Sequence, residues 1–119
     1  MLPEEYKIVV QDLINATSQG KVVWSRGSSP DTFVAEPNNK TKVLIDAYYS
    51  QAAQTTASCI NITLFEKASG KLIDEIVICD QDNQPQDYEL LKQLYLTARK
   101  QFADKGINPL LTEISASIK

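Results

Sequence analysis

Two stretches that alternate apolar and polar residues, separated by a short turn segment, constrain the fold most. Residues 57–66 and 71–79 carry apolar side chains at every second position of one face, which is the period of a β-strand. Between them, residues 68–70 (Ala-Ser-Gly) fit a three-residue hairpin loop with Gly70 in the left-handed conformation. The pattern therefore predicts an antiparallel hairpin.

The hairpin loop also predicts the register of the two strands. It sets Ile62 opposite Ile76, so that the apolar sets of both strands fall on the same face, which supports the register. The same register sets Leu64 opposite Asp74, an unfavourable pair that a bulge or a frayed strand end would relieve.

Similar patterns along the rest of the chain predict the other elements. Further β-type runs are residues 21–26, 31–36 and 41–50. Apolar residues at three- and four-residue spacing predict a helix over residues 3–18, with Gly20 as its C-cap, and a second helix from Pro85 to a cap at Gly106. Asn108, followed by a proline, reads as the N-cap of a short third helix.

This order predicts a single α+β domain over residues 1–119. It has an N-terminal helix, a roughly five-stranded antiparallel meander sheet, and two C-terminal helices packed on one sheet face. Residues 51–56 form a polar connection between the third and fourth strands, which could be an ordered binding loop or a mobile one.

Composition excludes several functional classes. The 119 residues carry a net charge of -3 and lack the basic patch that binds nucleic-acid phosphates. No histidine is present, which removes Ser-His-Asp and Cys-His catalysis and the commonest metal ligand. The four glycines form no phosphate-binding loop, and no cofactor is indicated. Without an apolar stretch of membrane length or a signal-peptide pattern, we expect no membrane partner and a cytoplasmic location.

Cys59 and Cys79 are direct cross-strand neighbours in the predicted register. They could form a redox-sensitive bridge, since opposed strand residues come within disulfide reach. The cytoplasmic location favours the other interpretation, in which both thiols stay reduced and act as small apolar residues. Two cysteines without histidine do not supply the four ligands of a structural zinc site.

Acidic residues gather before the second helix, at Asp80, Asp82 and Asp87, with Asn83 among them. Their oxygens could hold a hard cation, but the spacing of an EF-hand is absent. Capping and dipole stabilisation of the helix are the favoured roles, and we expect no metal site.

Aromatic and aliphatic residues suggest two binding surfaces. Residues expected on the sheet face away from the helices form a candidate partner surface: Tyr48, Phe65, Ile73 and Val77. Residues expected between sheet and helices could instead line a ligand pocket: Trp24, Tyr88 and Tyr95.

Two segments carry a resemblance to known proteins. Residues 13–24 resemble the "L…AT..GK(I/V).W" opening of small uncharacterised bacterial α+β proteins, and residues 88–99 resemble their "Y..L..LY..AR" helix. The resemblance covers most of the chain and implies the same fold and a core role for the tryptophan. It carries no activity, and implies a place among accessory proteins or modules attached to defence and signalling proteins.

Taken together, these features favour a non-catalytic interaction module or adaptor that binds a protein partner. A small-molecule-binding domain is the alternative, and a homodimer through the sheet is compatible with either. A small enzyme would have to work with carboxylates, tyrosine or cysteine, and no pair of these is marked by its spacing.

Overall fold

The computed structural model describes residues 2–52 and 55–119, which form one antiparallel sheet with helices on one side. The elements are α1 (Glu4–Ser18), β1 (Trp24–Arg26), β2 (Thr32–Ala35), β3 (Thr41–Ala52), β4 (Thr55–Glu66), β5 (Leu72–Cys79), α2 (Pro85–Phe102) and α3 (Asn108–Ser117), with a π-helical segment, Ala103–Ile107, between the last two. The strand order β1-β2-β3-β4-β5 is a meander. The predicted α+β class and order of elements are confirmed.

The β4–β5 hairpin has the predicted register over most of its length. Ile62 lies opposite Ile76, and Leu64 lies opposite Asp74. A register shift follows directly between Leu64 and Phe65, so the unfavourable pair is retained and the bulge begins beside it.

The hairpin loop is one residue longer than predicted, and this causes the bulge. The N–H of Glu66 donates to the carbonyl of Lys71 at 2.8 Å, which leaves four residues in the loop. Gly70 has the predicted positive φ of 71°. Because β5 starts pairing one residue early, it must carry one extra residue before the register of the remaining strand is restored.

α1 and α2 run side by side in the same direction over one sheet face. At their starts, the N–H of Leu2 donates to the Asp87 carboxylate at 2.9 Å. α1 ends with Gly20 at φ 75°, where the N–H of Lys21 donates to the carbonyl of Ala16 and closes the C-cap. The buried positions of α1, Val10, Leu13, Ile14 and Thr17, lie on the stripe predicted from the sequence.

The core lies between these helices and the sheet. Its fully buried large side chains include Leu2, Val10, Phe33, Ile45, Ile62, Ile78, Leu91 and Leu94. The ring of Phe33 packs 5.7 Å from Tyr95 and 5.6 Å from Phe102, centroid to centroid, so that aromatic packing holds α2 on β2.

Gln101 joins three segments at one end of the core. Its Oε1 accepts the N–H of Trp24 at 2.8 Å, and its Nε2 donates to the carbonyls of Val22 at 2.6 Å and Thr17 at 3.3 Å. The single amide therefore bonds to backbone groups of α1, of β1 and of the segment between them.

α3 differs from the prediction because it does not pack on the sheet. The π-helical segment continues α2 without a break, so Gly106 is not a cap and Asn108 is not an N-cap; the Asn108 Nδ2 donates to Asp104 Oδ1 at 2.9 Å. No residue of α3 is buried. Its apolar side chains are exposed: Leu110, Leu111, Ile114 and, beyond its end, Ile118.

The predicted connection of residues 51–56 is mostly strand. β3 continues to Ala52 and β4 begins at Thr55. The remaining part of the predicted loop, residues 53–54, lies outside the described residues. A long β3–β4 ladder thus replaces most of the predicted connection, because polar side chains do not prevent backbone pairing between adjacent antiparallel strands.

The side chain of Tyr6 links the start of α1 to β5 by a hydrogen bond. Its hydroxyl donates to Asp74 Oδ2 at 2.6 Å, a charge-assisted hydrogen bond. Burial, with the hydrogen bond and negative charge of Asp74 adding to it, raises the pKa of Tyr6 well above 10.0, its value in an unfolded chain. The neutral phenol is therefore favoured in the folded state.

Tyr6→Phe is expected to lower the free energy of unfolding at neutral pH by about 1 kcal/mol, because the bond to the carboxylate is lost. A raised folded pKa gives stability that is complete below pH 10.0 and declines as the unfolded chain ionises. Urea unfolding from about pH 8 to about pH 11 should thus show the wild type losing stability more steeply than the variant. Parallel pH profiles would contradict this role of Tyr6.

Candidate functional site on the open face of the sheet

The sheet has one face covered by α1 and α2 and another that no described element covers. We term the second the open face. It is formed by alternate residues of the three long strands: Leu44, Asp46 and Tyr48 of β3, Cys59, Asn61, Thr63 and Phe65 of β4, and Glu75, Val77 and Cys79 of β5. The predicted division of the sheet into a helix-covered and an uncovered side is present.

Three apolar side chains cluster at the hairpin end of this face. Phe65 pairs with Leu72, and Ile73 is the next residue, within the bulge. Leu72 and Ile73 are more than half exposed, at 54% and 56%. The bulge leaves both aliphatic side chains in contact with solvent at the edge of the sheet.

A second apolar group lies toward the other end of the same strands. Val77 and Tyr48 are each 39% exposed, and the Cys59–Cys79 pair lies between them. Of the predicted partner surface, Tyr48, Phe65 and Val77 therefore lie on the open face, and Ile73 lies in the bulge beside Phe65. Tyr49, one position from Tyr48, points to the opposite side and is 78% exposed.

A polar network separates the two apolar groups. Asn61 Nδ2 donates to Glu75 Oε2 at 2.8 Å, and the Thr63 hydroxyl donates to Asn61 Oδ1 at 2.8 Å. Thr63 is buried, whereas the Glu75 carboxylate is exposed. The open face thus offers an acceptor carboxylate, held in a fixed orientation by Asn61, between two apolar groups.

Cys59 and Cys79 form a cross-strand disulfide. The predicted pairing of their positions is confirmed by the register. The bonded state contradicts the interpretation of two reduced thiols. That interpretation rests on the expected cytoplasmic location and not on the distance between the two residues. The bond ties the edge strand β5 to β4 at the end opposite the hairpin.

The acidic residues before α2 accept hydrogen bonds from backbone N–H groups. Asp82 Oδ2 accepts the N–H of Cys79 at 2.8 Å, and Asp80 Oδ1 accepts the N–H of Ser58 at 3.2 Å. The N-cap of α2 is Gln84, without a side-chain capping bond, so these aspartates do not cap the helix as expected. They hold the end of β5, and Asp87 binds the start of α1.

The three aromatic residues predicted to line a pocket are core residues. Trp24, Tyr88 and Tyr95 are buried, at 2%, 9% and 6% exposure. Trp24 Nε1 donates to the Thr17 hydroxyl at 2.9 Å, and the Tyr88 hydroxyl donates to the Ser58 hydroxyl at 3.0 Å. These side chains fill the space between sheet and helices in which the pocket was expected.

Tyr95 also lines a surface cleft, of which neither Trp24 nor Tyr88 is a lining residue. The cleft has a volume of about 570 Å³, and its charged lining residues are Asp31, Asp46 and Arg99. Burial, reinforced by Asp31, raises the pKa of Tyr95, while Arg99 opposes the rise. The phenol therefore stays protonated to a higher pH than that of an exposed tyrosine. Arg99 follows Tyr95 by one turn of α2, whereas Asp31 and Asp46 come from distant segments that no spacing in the sequence links to Tyr95.

Comparison of the whole chain with protein-family models, with curated proteins and with solved structures finds no match. Within the described residues, no helix is long and apolar enough to cross a membrane. The resemblance of the two sequence segments to small bacterial α+β proteins remains a prediction.

Proposed function

We propose that the protein is an interaction module, an accessory or adaptor protein that binds another protein through the open face of its sheet. The observation that carries the proposal is the exposure of Val77 on the open face, which no described element covers, and of Leu72 and Ile73 in the bulge at its end. Exposed aliphatic groups that lie together on a soluble domain mark contact surfaces more often than isolated ones do.

The composition of the face supports a protein partner. Apolar groups around Phe65 and Val77 would supply the buried centre of an interface, and Asn61 and Glu75 would supply oriented hydrogen-bond partners. The disulfide and the Tyr6–Asp74 bond hold β5 in place, so the surface is formed before a partner binds.

Phe65→Glu and Val77→Glu are each expected to abolish capture of the partner. Each change places a carboxylate within an apolar contact, where desolvation of an unpaired charge is costly. The measurement is an affinity pull-down of the tagged full chain from lysate of its own organism, with mass spectrometry of the retained proteins. Circular dichroism checks that each variant is folded.

Ile8→Glu is the matched control, because Ile8 is an exposed aliphatic residue (58%) on α1, on the other side of the molecule. This variant should retain the partner in the same stoichiometry. A partner that survives both open-face changes, or is lost equally in the control, would remove the assignment of this surface.

A further inference from the structure

The hydrogen-bonding pattern of β4 and β5 shows which backbone groups of the edge strand are free. The N–H of Asp80 donates to the carbonyl of Ser58 at 2.8 Å, so this is a hydrogen-bonded pair. Such pairs recur at every second residue of an antiparallel ladder. The even-numbered residues of β5 therefore bond to β4, and its odd-numbered residues direct their N–H and C=O groups outward.

Only part of this outward row has partners. Asp82 bonds to both backbone groups of Cys79. Its carboxylate accepts the N–H of Cys79 at 2.8 Å, and its own N–H donates to the carbonyl of Cys79 at 3.0 Å. Ile73 lies in the bulge, which interrupts the row at its other end. Glu75 and Val77 remain, on an edge that pairs with no other strand of the described residues.

The edge carries negative charge. Residues 71–82 contain one lysine and four acidic residues: Asp74, Glu75, Asp80 and Asp82. None of these carboxylates is in an ion pair within the described part of the chain. The side chain of Glu75 lies on the open face beside the free backbone groups, held by Asn61.

This charge disfavours a second copy as the added strand. Two β5 strands paired antiparallel with Glu75 opposite Glu75, or with Glu75 opposite Val77, would bring the two Glu75 carboxylates into opposed or diagonal positions, where like charges repel. Edge strands are commonly protected from self-pairing by charges of this kind. The same charge favours an added strand with a positive side chain, because that side chain would neutralise the exposed carboxylate.

We infer that β5 accepts an extended basic segment of a partner protein as a sixth strand. The incoming strand places a lysine or arginine opposite Glu75 and, two residues away, an apolar side chain opposite Val77. Its backbone bonds to the free groups of these two residues. The inference rests on the proposed function and specifies the partner of the same surface.

The test uses a short capped peptide of alternating threonine and valine with one central lysine. Binding to the isotope-labelled full chain is followed by the NMR shifts of its backbone amides. We expect the largest shifts at Glu75 and Val77. A peptide with central glutamate should bind about tenfold more weakly, because an opposite-charge pair becomes a like-charge pair. N-methylation of the edge-facing peptide amides should abolish binding.

Two variants of the protein separate charge from backbone pairing. Glu75→Lys should reverse the preference, so that the glutamate peptide binds about tenfold more tightly than the lysine peptide. Val77→Pro removes an N–H that points outward and none that bonds to β4, and it should reduce binding at least tenfold while Val77→Thr retains it.

The inference would be overturned if the two peptides bound equally, if N-methylation left peptide binding unchanged, or if the largest shifts lay elsewhere. The Glu75→Lys variant tests the inference even if Val77→Pro does not fold.

The proposed function is tested by a different result, the capture of the protein partner. A protein partner lost in Phe65→Glu but retained in Val77→Pro and Glu75→Lys would leave the open face as the interface and exclude the edge. A partner retained in all of these variants would exclude both.

Discussion

Replacing Leu94 with alanine is expected to lower the free energy of unfolding by about 3 kcal/mol. Leu94 lies on the buried stripe of α2 with none of its surface exposed. The change removes three carbon atoms from a packed core, so the loss combines the transfer free energy of those atoms with the cost of the cavity left behind. Equilibrium urea unfolding, followed by circular dichroism, measures the difference.

Leu96→Ala is the matched control on the same helix. Leu96 is 47% exposed, and its loss should change the free energy of unfolding by less than about 0.5 kcal/mol. Helix propensity cancels in this comparison because both changes are leucine to alanine within α2. Equal effects at the two positions would mean that α2 does not face the sheet as described.

Reduction of the Cys59–Cys79 disulfide is expected to cost about 3 kcal/mol of stability. The bond links residues that are 20 positions apart, and a cross-link of this span restricts the unfolded chain substantially. The measurement is urea unfolding with and without dithiothreitol, with the thiols counted in each sample. We expect the midpoint to fall on reduction while the native far-ultraviolet spectrum is retained at low urea.

A Cys59→Ala and Cys79→Ala double variant provides the control, since its unfolding should not respond to dithiothreitol. It should also unfold near the midpoint of the reduced wild type. If the reduced and oxidised wild-type proteins unfold at the same urea concentration, the bond contributes nothing to stability. β5 would then be held by its ladder, the core and the Tyr6–Asp74 bond alone.

The strand register was predictable because its cause is local. The alternation around Ile62 and Ile76 assigns each side chain to a face, and a shift by one residue would reverse every assignment. The cysteine pairing followed from the same register. The loop length was not predictable to one residue, because Gly70 fits the left-handed position in loops of different lengths.

The candidate site was predictable in part. Alternation placed Phe65 and Val77 on the uncovered side of the sheet, and the structure has them there. Which of those positions would be exposed depended on neighbours that local pattern does not reveal. The bulge exposes Leu72 as well as Ile73, and the carboxylate of Glu75 is oriented by Asn61 from the adjacent strand.

Tertiary structure also decided which backbone groups the polar side chains bond to, and whether the last helix is buried. Gln101 carries no pattern in the sequence, yet it satisfies backbone groups of three segments. The apolar spacing of residues 110–118 predicts a helix and also predicts that one side of it is buried. α3 forms, but none of the described elements lies near enough to cover that side, because the continuous helix carries it away from the sheet.

By itself, the sequence determined the periodicities: which residues form strands and helices, which side chains share a face, and which strands are neighbours. These follow from interactions between residues a few positions apart and from short turns. Only the tertiary structure decided which face remains uncovered, that β5 ends as a free acidic edge, and that three predicted pocket residues fill the core. Those outcomes depend on contacts between distant segments, whose geometry no local pattern specifies.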